Sequence, residues 1–89
     1  MHKEKECERI LKALANERRL CILSFLKKHK EGSVGTIAEE INLSFKATSK
    51  HLSVLEKADM LEKEHRSNQM FFRIGSNFSA MVRRAVSFL

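Results

Sequence analysis

Residues 34–57, VGTIAEEINLSFKATSKHLSVLEK, decide the fold of this 89-residue chain. Apolar residues in the first part have the i, i+3, i+4, i+7 spacing of one helix face and predict a short helix over about residues 34–41: Val34, Ile37, Ala38 and Ile41. Asn42-Leu43-Ser44 supplies a tight turn, and Ser44 suits the N-cap of a longer helix over about residues 45–58. Two helices joined in this way form the helix-turn-helix arrangement.

Two further helices are predicted before this unit. The first covers about residues 4–15 and has one apolar stripe, made of Cys7, Ile10, Leu11 and Leu14. Asn16 can cap the second, over about residues 17–30, and Gly32 is expected to end it. The apolar stripe of this second helix is wide enough to be covered from two sides: Leu20, Ile22, Leu23, Phe25 and Leu26.

A hairpin and a last helix are predicted after the unit. Residues 70–74 alternate and read as a strand, a weaker strand covers about residues 61–65, and Arg66-Ser67-Asn68-Gln69 supplies turn residues between them. Residues 60–75 therefore form a predicted β-hairpin. Asn77 can cap a C-terminal amphipathic helix whose apolar face holds Phe78, Met81, Val82, Ala85, Val86 and Leu89.

This order predicts a mainly α-helical fold with a small β-hairpin (α+β), a winged helix-turn-helix in which residues 1–89 form a single domain. A chain this short buries only about 60% of its unfolded surface and gains from oligomerisation. The apolar stripes of the first and last helices predict a homodimer with an interface of Cys7, Ile10, Leu11, Leu14, Phe78, Met81, Val82, Ala85, Val86 and Leu89.

Composition narrows the classes of function. The net charge of +6 permits an anionic partner, but the charge is spread along the chain, so its placement must identify that partner. Two cysteines without a CxxC pair indicate a reducing, cytoplasmic setting, and neither a signal peptide nor a membrane-spanning run is recognisable. An enzyme is not expected, because no nucleophile–base pair, glycine-rich phosphate loop or carboxylate dyad stands out.

The predicted fourth helix separates its polar and apolar residues sharply. Thr48, Leu52 and Leu55 fall on one side and are expected in the core. The opposite side, hereafter the basic face, holds three lysines, two serines and no carboxylate: Lys46, Ser49, Lys50, Ser53 and Lys57. Such a face can offer lysines to phosphates and short hydroxyl groups to base edges in a major groove. The alternative is a solvated helix surface, which the position between a tight turn and a hairpin makes less attractive.

Three segments resemble the ArsR-type winged helix-turn-helix repressors: LKALANERRLCILSFL (11–26), TIAEEINLSFKATSKHLSVLEKADML (36–61) and FFRI (71–74). The resemblance covers about residues 9–75. It implies a prokaryotic, homodimeric transcriptional regulator that pairs through its first and last helices. It also implies that Ser49 and His51 lie at the DNA surface and that the hairpin tip flanks the site.

The chain departs from that family pattern in two respects. Asp59 stands where the family usually has glycine after the recognition helix, and aspartate tolerates the left-handed conformation needed there. Ser33 and Gly35 stand where metal sensors of the family often carry Cys-x-Cys, and residues 76–89 lack the Asp, His and Glu ligands of other members. We therefore expect no metal and no cofactor.

The sequence thus predicts a dimeric regulator, most simply a repressor, that binds an inverted-repeat operator in double-stranded DNA. The expected DNA contacts are Ser44, Lys46, Ala47, Ser49, Lys50, His51, Ser53, Lys57 and Arg66. One alternative is a redox or soft-metal sensor that uses Cys7 or Cys21, although both fit as small packed hydrophobes. Another is a winged helix that docks proteins. Arg18 or Arg19 is expected to pair with Glu17 or Glu40.

Overall fold

The computed structural model describes residues 2–76 and 80–89 and confirms the predicted class, a winged helix-turn-helix. Within those residues the order of elements is α1 (His2–Leu14), α2 (Glu17–His29), β1 (Gly32–Ser33), α3 (Val34–Glu40), α4 (Phe45–Lys57), β2 (Leu61–Arg66), β3 (Gln69–Ile74) and α5 (Ala80–Ser87). Asn77, Phe78 and Ser79 lie outside the described residues, and with them the predicted cap of the last helix.

Side-chain caps set the starts of the central helices. The side chains of Asn16 and Ser44 accept hydrogen bonds of 3.1 Å from the backbone N–H groups of Arg19 and Ala47, as predicted for α2 and α4. Ser33 caps α3 in the same way and accepts from the N–H of Thr36 at 3.2 Å. Each cap satisfies one of the N–H groups that the first turn of a helix leaves without a partner.

The end of α2 differs from the prediction. Lys30, not Gly32, is the C-cap residue, with φ 76° and its N–H donated to the carbonyl of Leu26. Gly32 instead starts β1, which pairs antiparallel with β3, so the sheet order is β1-β3-β2. A strand of two residues has no periodicity, and sequence reasoning therefore missed it.

The β2–β3 hairpin, hereafter the wing, has a tighter turn than predicted. Arg66 and Gln69 form its last strand pair rather than part of the turn. Only Ser67 and Asn68 connect the strands, with φ 49° and 63°, and positive φ at both positions is the type I′ pattern that suits twisted hairpins. Asp59, before the wing, has φ 62° and confirms the expected left-handed position.

One hydrophobic core joins all five helices and the wing within the described residues. Thr48, Leu52 and Leu55 of α4 are fully buried in it, as predicted. They lie with residues from the other elements: Ile10, Leu14, Ile22, Leu23, Leu26, Val34, Ile37, Ile41, Met60, Leu61, Phe72, Val82 and Val86. The core therefore sets which side of α4 faces outwards.

The same core claims four of the residues predicted for a dimer interface. Ile10, Leu14, Val82 and Val86 are buried inside a single copy, where at most 9% of each residue is exposed. Both stripes thus contribute residues to the common core, in which α1 and α5 each contact α2. The apolar surface that remains is smaller: Leu11 and Leu89 are exposed, and Cys7 and Ala85 are half-buried. The side chains of Phe78 and Met81 lie outside the described residues.

Cys21 also differs from its expected packing. The thiol lies on the exposed side of α2, because this helix turns Ile22, Leu23 and Leu26 towards the core. Cys7 is half-buried, and both are free cysteines.

We expect Gly32→Ala to lower the free energy of unfolding by about 1–3 kcal/mol. A Cβ atom there would lie 2.8 Å from Cε2 of Phe25 and 3.1 Å from Cγ1 of the fully buried Ile37. Urea unfolding of parent and variant measures the effect.

Gly35→Ala is the matched control, because its added Cβ atom meets nothing within 4 Å and alanine favours the helix. It should raise the free energy of unfolding by about 0.5–1 kcal/mol. Equal effects of the two substitutions would contradict the close packing around Gly32.

Candidate nucleic-acid interface

The basic face of α4 is turned outwards. Lys46, Ser49, Lys50 and Lys57 are exposed and Ser53 is half-buried. Among the described residues, none of the three lysines forms an ion pair. The nearest carboxylate of the helix, Glu56, lies near its C-terminal end, 3.8 Å from Nζ of Lys63. Three free ammonium groups on one helix therefore face solvent without a counter-charge.

Arg19 connects this helix to the end of α1. Its Nε and Nη2 donate to the carbonyls of Ala13 and Lys12 at 2.6 and 3.1 Å, and its Nη1 lies 3.3 Å from Nδ1 of His51. A guanidinium group only donates, so Nδ1 accepts and the ring proton lies on Nε2. Burial lowers the pKa of His51, and the charges of Arg19 and Arg18 lower it further. His51 is therefore held as a neutral donor beside the basic face.

Arg18 braces the turn of the helix-turn-helix. Its Nη1 donates to the carbonyls of Ile41 and Asn42, at 2.5 and 3.1 Å. The predicted pairing of Arg18 or Arg19 with Glu17 or Glu40 is wrong. Both arginines instead satisfy carbonyl groups at helix ends, which lack partners within the helix.

Arg9 holds the other end of α4. Its guanidinium donates to the carbonyl of Lys57 and lies 2.7 Å from Glu6 and 3.4 Å from Asp59. Sequence reasoning missed this residue, since its partners on α4 and beyond are nearly fifty positions away. The start of α4 is capped by Ser44 and its end is fixed by Arg9, so both ends of the basic face are anchored.

Arg66 is less available than the sequence predicts. It stands at the end of β2, where its guanidinium lies 2.7 Å from Glu31 and 3.6 Å from Glu64. Its Cζ atom also lies 4.1 Å from the centre of the Phe71 ring. These contacts hold the side chain against the sheet, whereas Lys63 and His65 on the same strand are exposed.

The remaining predicted contacts lie along the same helix. Ser44 is exposed but uses its oxygen in the cap, and Ala47 is half-buried. The structure thus brings together on α4 all the predicted DNA contacts except Arg66, which belongs to the wing.

The two positions at which a Cys-x-Cys metal pair was considered have other roles. Ser33 caps α3, and Gly35 lies inside that helix. In residues 2–76 and 80–89, no three His, Cys, Asp or Glu side chains come together as a metal site. None of the helices described is long and apolar enough to cross a membrane.

Comparison with known proteins extends these observations. The sequence profile of the arsR family of bacterial regulatory proteins matches residues 16–63. The transcriptional activator HlyU of Vibrio cholerae is 37% identical over 67 residues, which are 75% of this chain and 61% of HlyU. The chain spans about three fifths of the length of the curated relatives it matches.

Two solved structures show the same fold. Reduced HlyU from Vibrio cholerae superimposes with a TM-score of 0.83 at 31% identity, over 99% of this chain and 88% of HlyU. The homodimeric winged helix-turn-helix DNA-binding domain Mb0332 from Mycobacterium bovis gives 0.84 at 28% identity, over 98% of this chain and 77% of that domain.

The lowered pKa of His51 predicts an acid-sensitive contribution to stability. The unfolded chain binds a proton at His51 near the ordinary pKa of about 6.5, whereas the folded chain binds it only at lower pH. The contribution is therefore complete above about pH 6.5 and is lost as the pH falls through the folded pKa. His51→Gln should lose less stability than the parent between roughly pH 7.5 and 5, measured by urea unfolding.

Arg19→Leu separates the two causes. It leaves most of the burial of His51 but removes the nearest positive charge, so the acid-dependent loss should shrink without vanishing. Identical acid dependence of the parent and His51→Gln would show that His51 is not held neutral.

Proposed function

Because this chain belongs to the arsR family of bacterial regulatory proteins, we propose that it binds double-stranded DNA as a sequence-specific transcriptional regulator. The observation that carries the proposal is the carboxylate-free basic face of α4, which the helix-turn-helix presents to solvent. Membership in a family of regulators agrees with the expectation that the chain is not an enzyme. Residues 1–89 form one domain in this proposal.

The position of each residue along α4 gives it a role. Lys46 and Ser49 lie near the N-terminal end, which in recognition helices meets the base edges. Lys50 and Lys57 bind phosphates as point charges. Neutral His51 donates from Nε2, and Ser44, Ala47 and Ser53 complete the surface. Arg66 contacts DNA from the wing while its guanidinium group stays paired with Glu31.

The active form in this proposal is a homodimer on an inverted-repeat operator. The homodimeric domain Mb0332 supports this, as does the apolar surface left exposed on α1 and at the end of α5. The proposed interface consists of Cys7, Leu11, Ala85 and Leu89, together with Phe88, which the structure leaves exposed. Two-fold symmetry would place the two α4 helices about 34 Å apart, one turn of duplex.

The proposed mode of regulation is repression, in which the bound dimer covers promoter DNA. HlyU carries the name of an activator, so the sign of regulation needs its own test. A promoter that contains the selected operator, fused to a reporter, should be less active when the chain is expressed. Increased reporter activity would make the chain an activator instead.

A second candidate function is a redox-responsive regulator. The exposed thiol of Cys21 favours it, since a reactive cysteine must be accessible. Our proposal is that DNA binding is indifferent to metal and to oxidation. DNA affinity measured with reductant, oxidant and zinc, for the parent and for Cys21→Ser, distinguishes the two.

The third reading, a protein-docking winged helix, requires an apolar or acidic face on α4, and the lysines there oppose it.

Substitutions on the basic face should not all behave alike. Lys57→Ala should weaken binding to operator and random duplex equally, because it removes one phosphate contact. For the same reason the slope of the logarithm of the binding constant against the logarithm of the salt concentration should fall in magnitude by about one. Ser49→Ala and Lys46→Ala should cost about 1–3 kcal/mol on the operator and little on random duplex. Salt-titrated fluorescence anisotropy on both duplexes measures these effects.

Lys28→Ala is the control for charge. It removes the same charge in the last turn of α2, outside the basic face. The neighbouring Lys27 marks where this turn lies, since its Nζ is 3.5 Å from the carbonyl of Ser87 in α5. Its salt dependence should match the parent. If the Lys46, Ser49, Lys50 and Lys57 variants all bind like the parent while remaining folded, the basic face is solvated surface and DNA is the wrong partner.

Leu11→Glu should separate the dimer without unfolding the chain. The side chain is 51% exposed in one copy, so a carboxylate there costs little until a partner covers it. Sedimentation at micromolar concentration should give a dimer for the parent and a monomer for the variant, with loss of operator binding.

Val54→Gln is the matched control, an exposed apolar residue replaced on another helix, and should remain dimeric. Val82→Glu, in contrast, should unfold the chain, since Val82 is buried in the core of one copy. A parent that sediments as a monomer would remove the dimer from the proposal.

A further inference from the structure

Phe45 is an aromatic side chain in an unexpected place. It is the first residue of α4 and is 62% exposed, whereas Phe72 is buried in the core. Large exposed apolar residues are rare in the described part of the chain, and Leu11, Phe88 and Leu89 lie in the proposed dimer surface. Phe45 is far in sequence from that surface and adjoins the basic face.

The surroundings of Phe45 are positively charged on the side of the basic face and mixed on the side of the wing. On one side it shares a shallow depression with Lys46, Ser49, Lys50 and Ser53. On the other it borders an open groove of about 640 Å³ between α3 and the wing, whose lining includes Thr36, Asn68 and Gln69 as well as two groups of opposite tendency, the carboxylate of Glu39 and the imidazole of His65. The Ser44 cap fixes the backbone at this point. The ring is therefore held between the basic face and the wing.

We propose, as an extension of the proposed function, that Phe45 contacts the C5-methyl group of a thymine in the major groove and so selects thymine at one position of each half-site. Of the four bases, only thymine presents a methyl group in that groove, and a phenylalanine ring is an apolar partner for it. Neighbouring Lys50 attracts a phosphate and so helps to bring the start of α4 to the base edges. The ring has no donor for a phosphate, so its contribution is selectivity.

A protein partner fits this position less well. An apolar partner that covered Phe45 would also have to desolvate the lysines beside it, which costs free energy without acidic counterparts. A second copy of the chain would bring two basic faces together. DNA satisfies both parts of the surface at once, with phosphates for the ammonium groups and a methyl group for the ring.

The test removes the methyl group from the DNA. A duplex is first selected with the parent protein from a random library, and each thymine is then replaced in turn by uracil, which lacks the methyl group. One thymine position, present once in each half-site, should stand out. Replacing a thymine there should lower affinity about fourfold, the effect of about one buried methyl group.

The matching change in the protein is Phe45→Ala. It should lower affinity for the selected duplex on the order of tenfold and leave affinity for random duplex and the salt dependence unchanged, because no charge is removed. For this variant the uracil replacement should have no further effect. Phe45→Leu, which keeps an apolar side chain, should retain part of the selectivity.

The control within α4 is Val54→Ala. Val54 is also exposed, at 40%, but lies about 180° around the helix from Phe45. Truncating its side chain should therefore leave the affinity for both the selected and the random duplex unchanged. Unfolding midpoints check that both variants remain folded.

If Phe45→Ala binds the selected duplex like the parent, or if the uracil effect persists in that variant, the contact is wrong while the regulator stands. If the parent selects no duplex over random DNA, the proposed function fails and the contact fails with it.

Discussion

The rotation of α4 about its own axis is the constraint on which the rest of the structure depends. Thr48, Leu52 and Leu55 are fully buried, and no other side of the helix could take their place. A rotation by one residue, about 100°, would turn Ser49 and Ser53, or in the other direction Ala47 and His51, towards the core. A rotation by about 180° would turn the ammonium groups there, where an unpaired charge is expensive to bury. The same three side chains therefore determine both the packing of the core and the direction in which the lysines point.

Arginine and lysine divide the positive charge of the chain between two tasks. Arg9, Arg18 and Arg19 donate to carbonyl groups at the ends of helices, where their forked guanidinium groups reach two or three acceptors at once. The lysines of the basic face have no such partners among residues 2–76 and 80–89. The net charge of +6 thus combines charges that hold the scaffold with charges that remain available to a ligand.

Periodicity predicted the helices and their buried faces because each buried face depends on neighbours three and four positions away. The caps at Asn16 and Ser44 were predictable from residue type, because each accepts from an N–H group only three positions away. Sequence reasoning failed where the deciding contact is remote: Arg9 binds at Lys57, Arg66 binds Glu31, and Gly32 pairs with Phe72. Periodicity also does not say what covers an apolar stripe, because a stripe such as Ile10 and Leu14 looks the same whether its own chain or a second chain covers it.

Ser33 belongs to two elements at once, since it ends β1 and caps α3. β1 is hydrogen-bonded to β3, the central strand of the sheet. No loop separates β1 from α3, because β1 ends at Ser33 and α3 begins at Val34. The sheet and the helix-turn-helix are therefore directly joined. One strand pairing, Ser33 with Phe71, therefore connects the wing to the start of α3. Any influence on the outer strand, whether from a bound molecule or a substitution, has a short mechanical route to the recognition unit.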